Sequence, residues 1–161
     1  MAAEAPALEI IDFEARYAAD FKRLNVEWLE KYFTVEPIDH EVLSQPQTII
    51  LDPGGAILLA RYGDEIVGTC ALIKSDGVRR YELSKMAVTE RYQGLKIGRR
   101  LLLAALERYR QLQGRELFLE SNSALAPALA LYESVGFVHA PRPEGPVHYD
   151  RSNVYMVFKP A

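Results

Sequence analysis

Residues near the middle of the chain combine types and spacings that can bind a phosphate group. An apolar, strand-like run over residues 81–88 leads into a polar loop that contains Gly94 and Gly98, and a helical pattern starts at Ile97. Backbone N–H groups without partners at the start of a helix attract anions. Three basic residues stand beside this turn: Lys96, Arg99 and Arg100. The pattern predicts a phosphate cradle, and an ordinary glycine turn with solvated side chains is the alternative.

Two common phosphate-binding motifs are absent from the sequence. The only G-x-x-x-x-G frame runs from Gly63 to Gly68, and Thr69 and Cys70 follow it where a P-loop needs a lysine. No G-x-G-x-x-G occurs, so a Rossmann dinucleotide site loses its main support.

Two motifs in this part of the chain resemble those of the GNAT family of N-acetyltransferases. That family binds acetyl-CoA with [Q/R]-x-x-G-x-[G/A] at the start of a helix, and residues 93–98 read Gln-Gly-Leu-Lys-Ile-Gly. Residues 128–137 are similar to the family's A-x-x-x-Y-x-x-x-G-F motif. One departure is Lys96, which stands where the first motif has its first glycine. A lysine there restricts φ, but it can present an ammonium group to a pyrophosphate.

The resemblance implies acetyl-CoA as a co-substrate and assigns residues to it. Backbone groups of Met86 and Val88 would contact the pantetheine arm, and the N–H near Met86 would polarise the thioester carbonyl. N–H groups from Gln93 to Arg99 would hold the pyrophosphate. The complete set is Met86, Ala87, Val88, Gln93, Gly94, Leu95, Lys96, Ile97, Gly98, Arg99 and Asn122. Core packing is the alternative for Met86 and Val88, and a cap or turn is the alternative for Asn122.

Glu82 is the candidate general base. An aliphatic amine, with a pKa of about 10.4, is mostly protonated at neutral pH, so aminolysis of a thioester needs a proton acceptor. Glu82 lies in an otherwise apolar strand, four residues before Met86 and on the same nominal face unless a bulge intervenes. An unpaired carboxylate is costly there. The alternative is a structural ion pair with Lys85, Arg79 or Arg80.

Tyr132 is the candidate general acid. The resemblance gives its phenol the role of protonating the departing thiolate. Spacing alone favours packing, because Tyr132 falls at core-compatible positions with Leu125, Ala128 and Leu129.

The acceptor side of the site is less defined. In this fold the first helices and the loop at residues 148–151 would border the acceptor cleft, where Arg79 or Arg151 could hold a substrate carboxylate and Tyr149 could line the wall. A further aromatic group is expected to belong to the core: Trp28, Tyr32 and Phe33.

These residues favour an N-acetyltransferase that moves an acetyl group from acetyl-CoA directly to a primary amine of a small molecule or amino acid. The transfer would occur in a ternary complex. A protein acceptor is the nearest alternative, and a non-catalytic acyl-CoA-binding module is the alternative from another class.

The elements that position these residues follow a mixed α/β pattern. Strands are predicted over residues 8–13, 56–62, 66–75, 81–88, 117–119, 136–138 and 154–158. Helices are predicted over 15–33, 97–111 and 127–135, and a short helix that Asp39 could cap ends before Pro46. Successive strands with tight connections indicate an antiparallel meander, and the later alternation implies a crossover with some parallel pairing. The resemblance implies a mostly antiparallel central sheet, splayed at the cofactor site and flanked by helices.

Composition narrows the class of protein. The chain has 161 residues, 49% of them hydrophobic and 25% charged, and a net charge of −3, which indicates one globular domain over residues 1–161. This balance gives no general attraction to nucleic acid or to an anionic membrane. No apolar run is long enough to span a membrane, so we expect a cytoplasmic protein. Cys70 is expected to be buried, and three scattered histidines give no support to a metal site. A small amine is the expected partner, and a homodimer is left open.

Overall fold

The computed structural model describes residues 7–92, 95–145 and 151–160, which form a seven-stranded sheet with helices on both faces. The strands are β1 (Leu8–Asp12), β2 (Ala56–Tyr62), β3 (Glu65–Lys74), β4 (Arg80–Val88), β5 (Glu116–Ser121), β6 (Phe137–His139) and β7 (Val154–Phe158). The helices are α1 (Ala18–Tyr32), α2 (Pro37–Ser44), α3 (Ile97–Gln111) and α4 (Ala126–Ser134). The strand order is β1-β2-β3-β4-β5-β7-β6, with β4 and β5 parallel and the other neighbours antiparallel. The predicted mixed α/β class is confirmed.

Two hydrophobic cores lie on opposite faces of the sheet. Successive residues of β2 alternate between them, so that Leu58 packs in the core beneath α3 and Leu59 packs in the core beneath α1 and α2. Gly68 allows α3 to approach β3 closely, because a Cβ atom at this position would lie 2.9 Å from Leu101 Cδ1. Cys70 is buried in the α3 core, as the sequence predicts.

Strand β4 carries a bulge near its centre. Lys85 has a φ of 56°, in the left-handed region, and the register between β3 and β4 shifts beside Thr69. Thr69 Oγ1 donates a hydrogen bond of 2.6 Å to the Lys85 carbonyl oxygen, and Asn25 Nδ2 donates one of 3.2 Å to Thr69 Oγ1. The bulge therefore breaks the simple alternation that would place Glu82 and Met86 on one face.

Strands β4 and β5 diverge after a short parallel ladder. Within the described residues, their pairing joins Arg80–Glu82 to Glu116–Phe118. Beyond that ladder β4 continues to Val88, whereas β5 pairs with β7 through Ser121. The sheet is therefore splayed at this point, as the resemblance implies.

Three local details differ from the sequence prediction. The first helix begins with a 3₁₀ turn at Ala15–Tyr17, and a π-helical segment that was not predicted covers Gln47–Leu51. Asp39 does not cap α2, because Glu36 is the N-cap and Pro37 occupies the first turn. The Asp39 carboxylate instead accepts a hydrogen bond of 2.9 Å from the Glu36 N–H, completing a capping box. None of the described helices combines the length and apolar character needed to cross a membrane.

Candidate active site

A cavity of about 590 Å³ opens where β4 and β5 diverge. It brings together the candidate base Glu82, the candidate acid Tyr132 and three groups of predicted cofactor residues. Those groups are Met86–Val88, Lys96–Arg99 and Asn122. Residues far apart in the sequence thus line one cavity.

Some predicted site residues are not part of this cavity. Leu95 is 51% exposed and does not line it, and Arg79 is exposed in the turn before β4. Gln93, Gly94 and Tyr149 lie outside the described residues.

The start of α3 fits an anionic ligand. Lys96 is the N-cap and has φ 60° and ψ 26°, so a lysine keeps the left-handed conformation that glycine adopts most easily. Among the residues that the structure describes, a Cβ atom at Gly98 would contact only Leu131 Cδ2, at an ordinary 3.8 Å. Since packing against the described residues does not require glycine there, Gly98 leaves space in the cavity wall beside the N–H groups of the first turn of α3. These features suit the close approach of a pyrophosphate.

Glu82 makes no ion pair with any residue that the structure describes. Arg80 Nε instead lies 3.3 Å from Glu116 Oε1, and Lys85 Nζ lies 3.7 Å from Asp39 Oδ1. Two of the three cations considered as structural partners of Glu82 therefore face other carboxylates, and the third, Arg79, is exposed.

The protonation of Glu82 is set by its enclosure in the cavity. Burial, with a smaller contribution from the nearby Glu120 carboxylate, raises its pKa to about 7. The charges of Lys85 and Arg80 oppose this rise without cancelling it. A carboxyl group with such a pKa exchanges protons near neutral pH, as a general base must.

Glu120 is a site residue that the sequence analysis missed. Its side chain is 8% exposed, and Arg142 Nη2 lies 2.8 Å from its Oε1 atom. Its Oε2 atom is buried without a hydrogen-bond partner in the described parts of the chain. The sequence does contain a signal for Glu120: it is a charged residue directly after the apolar strand residues 117–119. Glu82 stands out for a similar reason, since it interrupts the apolar residues of β4. The cavity therefore has two carboxyl groups in its wall.

Tyr132 is buried on α4, with its ring edge-on to Phe137 at a centroid distance of 6.0 Å. Burial raises the pKa of its phenol above the ordinary value, with a smaller contribution from Cys70. The phenol therefore stays protonated and can donate a hydrogen bond into the cavity.

An ionic cluster connects α2 to two residues of the cavity wall, Lys85 and Arg151. Arg151 forms two parallel contacts with Asp39, from Nη2 to Oδ1 at 2.8 Å and from Nη1 to Oδ2 at 2.9 Å. It also reaches Glu36 Oε2 at 2.8 Å. Asp39 is fully buried, and although burial opposes its ionisation, hydrogen bonds from Arg151 and from the Glu36 N–H lower its pKa. Lys85 completes the cluster, and burial lowers its pKa while Asp39 opposes that shift.

Asn122 connects the end of β5 to the segment that carries Arg151. Its Nδ2 donates a hydrogen bond of 2.7 Å to the Arg151 carbonyl oxygen, and its Oδ1 accepts one of 2.8 Å from the Ala124 N–H. The turn role considered for Asn122 is therefore present, in a residue that also lines the cavity.

The aromatic residues at the end of α1 are expected to belong to the core, and Trp28 does pack against the core beneath α1 and α2. Their positions also extend beyond that core. Trp28 and Phe33 line the cavity, and Tyr32 is 42% exposed. Helical spacing could not separate a core face from a cavity face, because both are apolar.

Comparisons with known sequences agree with this geometry. The family model described as Acetyltransferase (GNAT) family matches residues 21–137. An uncharacterized N-acetyltransferase of Escherichia coli, YjgM, is 30% identical over 112 residues, which cover 68% of this chain and 65% of that protein. An uncharacterized N-acetyltransferase of Schizosaccharomyces pombe is 31% identical over 124 residues, which cover 73% of this chain and 74% of that protein. The chain thus spans slightly less than two thirds of the first relative.

Solved structures show the same fold. An acetyltransferase of the GNAT family from Staphylococcus aureus has a TM-score of 0.84 and 24% identity, and the match covers 94% of this chain and 98% of that one. The PaiA N-acetyltransferase of Thermoplasma acidophilum, solved in complex with coenzyme A, has a TM-score of 0.73 and 17% identity, with 95% and 99% covered. Since the family model extends from α1 to the start of β6, the chain belongs to the acetyltransferase (GNAT) family.

Proposed function

We propose that this protein is an acetyl-CoA-dependent N-acetyltransferase that acts on a primary amine of a small molecule by direct transfer in a ternary complex. One observation carries the proposal: Glu82, Tyr132 and the start of α3 face a single cavity. A base, an acid and an anion-binding helix terminus are the three groups that this reaction needs.

The cofactor side is supported by the fit of the residues at α3. Acetyl-CoA, when bound, supplies an acetyl group activated as a thioester. The N–H groups at the start of α3, with Lys96 and Arg99, would hold its phosphates, and backbone groups of Met86–Val88 would hold its amide-bearing arm. A structural neighbour solved with coenzyme A is consistent with this assignment.

The proton transfers are assigned by the environments of two side chains. Glu82, with a pKa of about 7, accepts the proton of the acceptor ammonium directly or through water. Tyr132, whose pKa is raised by burial, keeps its proton until the sulfur leaves and then donates it.

The size of the cavity supports a small acceptor. About 590 Å³ falls within the range of roughly 300–1,000 Å³ typical of sites for small molecules. Trp28, Leu29 and Phe33 give it an apolar wall on the α1 side.

Binding and turnover measurements test the proposal together. Acetyl-CoA should raise the melting temperature and bind in isothermal titration, because a ligand that binds only the folded state stabilises it. Thiol release should then follow with at least one member of a panel of primary amines. The absence of any melting shift at millimolar acetyl-CoA contradicts the cofactor assignment. Binding without thiol release from any amine would instead favour a non-catalytic acyl-CoA-binding module.

A further inference from the structure

We propose that the acceptor is an amine whose ammonium-bearing carbon carries no carboxylate group. This inference rests on the proposed function and names the class of acceptor for the same cavity. It is carried by Asp39, a buried carboxylate that already holds the cations on the α2 side of the cavity.

Arg151 is the side chain best suited to recognise a ligand carboxylate, because a guanidinium can make two parallel hydrogen bonds. Both of those bonds go to Asp39, at 2.8 and 2.9 Å, and Glu36 Oε2 lies 2.8 Å from the same guanidinium. A free amino acid would have to displace Asp39 from this geometry. Asp39 is fully buried, and its Oδ2 also accepts a hydrogen bond from the Glu36 N–H, so its displacement would break the capping box of α2 as well.

Lys85 is held by the same carboxylate. Its side chain is 5% exposed, and its Nζ atom lies 3.7 Å from Asp39 Oδ1. A ligand carboxylate beside Lys85 and Arg151 would have to share these two cations with Asp39. The repulsion between the two carboxylates would disfavour binding of a ligand that carries one. The other two described cations of the cavity, Lys96 and Arg99, lie at the start of α3, on the side proposed for the cofactor phosphates.

The remaining charges of the wall favour a cation. Glu82 makes no ion pair with the described residues, and Glu120 Oε2 is buried without a hydrogen-bond partner among them. Both carboxyl groups line the cavity; among the described cations Arg142 pairs with Glu120 Oε1, while Lys85 and Arg80 act on Glu82 without cancelling the rise in its pKa. An ammonium group satisfies this wall, whereas a carboxylate next to that ammonium is repelled by it.

Matched acceptors test the inference on the wild-type protein. One set is 2-phenylethylamine, L-phenylalaninamide and L-phenylalanine; the other is pentylamine, L-norleucinamide and L-norleucine. We expect kcat/KM, corrected for the neutral fraction of each amine, to be at least about 100-fold lower for each acid than for its amide. Titration into protein saturated with coenzyme A should give the same ranking of Kd.

The outcomes separate this inference from the proposed function. An acid that reacts or binds as well as its amide overturns the inference and leaves the acetyltransferase assignment intact. Failure of all six compounds to bind also overturns it, while thiol release with some other amine would still support the proposed function. Failure of thiol release with every amine rejects the proposed function itself.

A variant then tests the part assigned to Asp39. Asp39→Asn keeps the size of the side chain and removes the charge that occupies both parallel contacts of Arg151, although Glu36 stays beside the guanidinium. The kcat/KM ratio of acid to amide should therefore rise at least about tenfold. Glu116→Gln is the matched control, because it removes the carboxylate beside Arg80, which does not line the cavity. A folded Asp39→Asn protein with the wild-type ratio overturns the role of Asp39. If that variant does not fold, the wild-type comparison alone decides the proposal.

Discussion

Glu82 and Glu120 lie on the same face of two neighbouring parallel strands, at the point where these strands diverge. Glu82 pairs with Phe118, and Glu120 follows Phe118 by two residues, which places both carboxyl groups on one side of the sheet. The Glu120 charge adds to burial in raising the pKa of Glu82. The protonation of the proposed base is therefore a property of the pair.

Replacing Glu82 should stabilise the protein at alkaline pH. Between pH 4.5 and about 7, Glu82 keeps its proton in the folded chain and loses it in the unfolded chain. Folding therefore becomes less favourable as pH rises through that interval. We expect Glu82→Gln to be more stable than the wild type at about pH 8, by up to about 3 kcal/mol, with the difference vanishing near pH 4. Urea unfolding at both pH values measures this. A variant that is less stable at high pH would point to an ion pair instead.

The rate of Glu82→Gln should depend on pH in a specific way. Because the variant lacks the proposed base, its kcat/KM should be lower than that of the wild type near neutral pH. The difference should shrink at higher pH, where the amine is deprotonated without a base from the protein. A pH profile identical to that of the wild type, in a stable variant, would remove Glu82 from the mechanism.

Replacing Glu120 should move the pH profile rather than abolish activity. Glu120→Gln removes the negative charge that raises the pKa of Glu82, so the acidic limb of kcat/KM should shift to lower pH. Glu116→Gln, on the same strand and outside the cavity, is the control. An unshifted limb would show that the Glu120 charge does not contribute to the pKa of Glu82.

Removing the Tyr132 hydroxyl should affect turnover and not cofactor binding. Tyr132→Phe keeps the ring that packs against Phe137, so stability and the Kd for coenzyme A should change little. Turnover should fall on the order of 100-fold because the leaving thiolate loses its proton donor. Full turnover in pre-steady-state measurements would make Tyr132 a packing residue.

Two glycine substitutions should separate coenzyme A binding from stability. Gly98→Ala places a methyl group on α3, 3.8 Å from Leu131 of α4. Because alanine favours a helix more than glycine does, the free energy of unfolding should stay the same or rise by up to about 1 kcal/mol. The Kd for coenzyme A should increase, because the methyl group occupies the space proposed for the phosphates. Gly68→Ala places its methyl 2.9 Å from Leu101 Cδ1 and should lower the melting temperature. Unchanged coenzyme A affinity in Gly98→Ala would contradict the phosphate cradle.

Lys96→Gly tests the departure from the family motif. Glycine adopts the φ of 60° without strain, which should stabilise the fold by roughly 1 kcal/mol. Loss of the ammonium should weaken coenzyme A binding and reduce its dependence on salt. Unchanged affinity would mean that Lys96 does not contact phosphate.

The sequence predicts local structure well and long-range ionic contacts poorly. The bounds of α3, Ile97–Gln111, agree with the apolar periodicity because one face of that helix packs on the sheet. The contacts of Asp39 could not be predicted, since Arg151 lies 112 residues away and no periodic pattern connects them. Similarly, the left-handed φ of Lys85 accompanies a hydrogen bond from Thr69 on the neighbouring strand.

The early end of the β4–β5 ladder gives this protein a strand edge inside its own sheet. Exposed edges are templates on which other chains can add strands and aggregate. Here the edge lies within a cavity walled by α1, α3 and α4, so these helices stand between the edge and other protein chains. A slender ligand with amide groups can still reach it. The protein thus keeps the hydrogen-bonding capacity of an open edge without the aggregation hazard that an edge on the outer surface would bring.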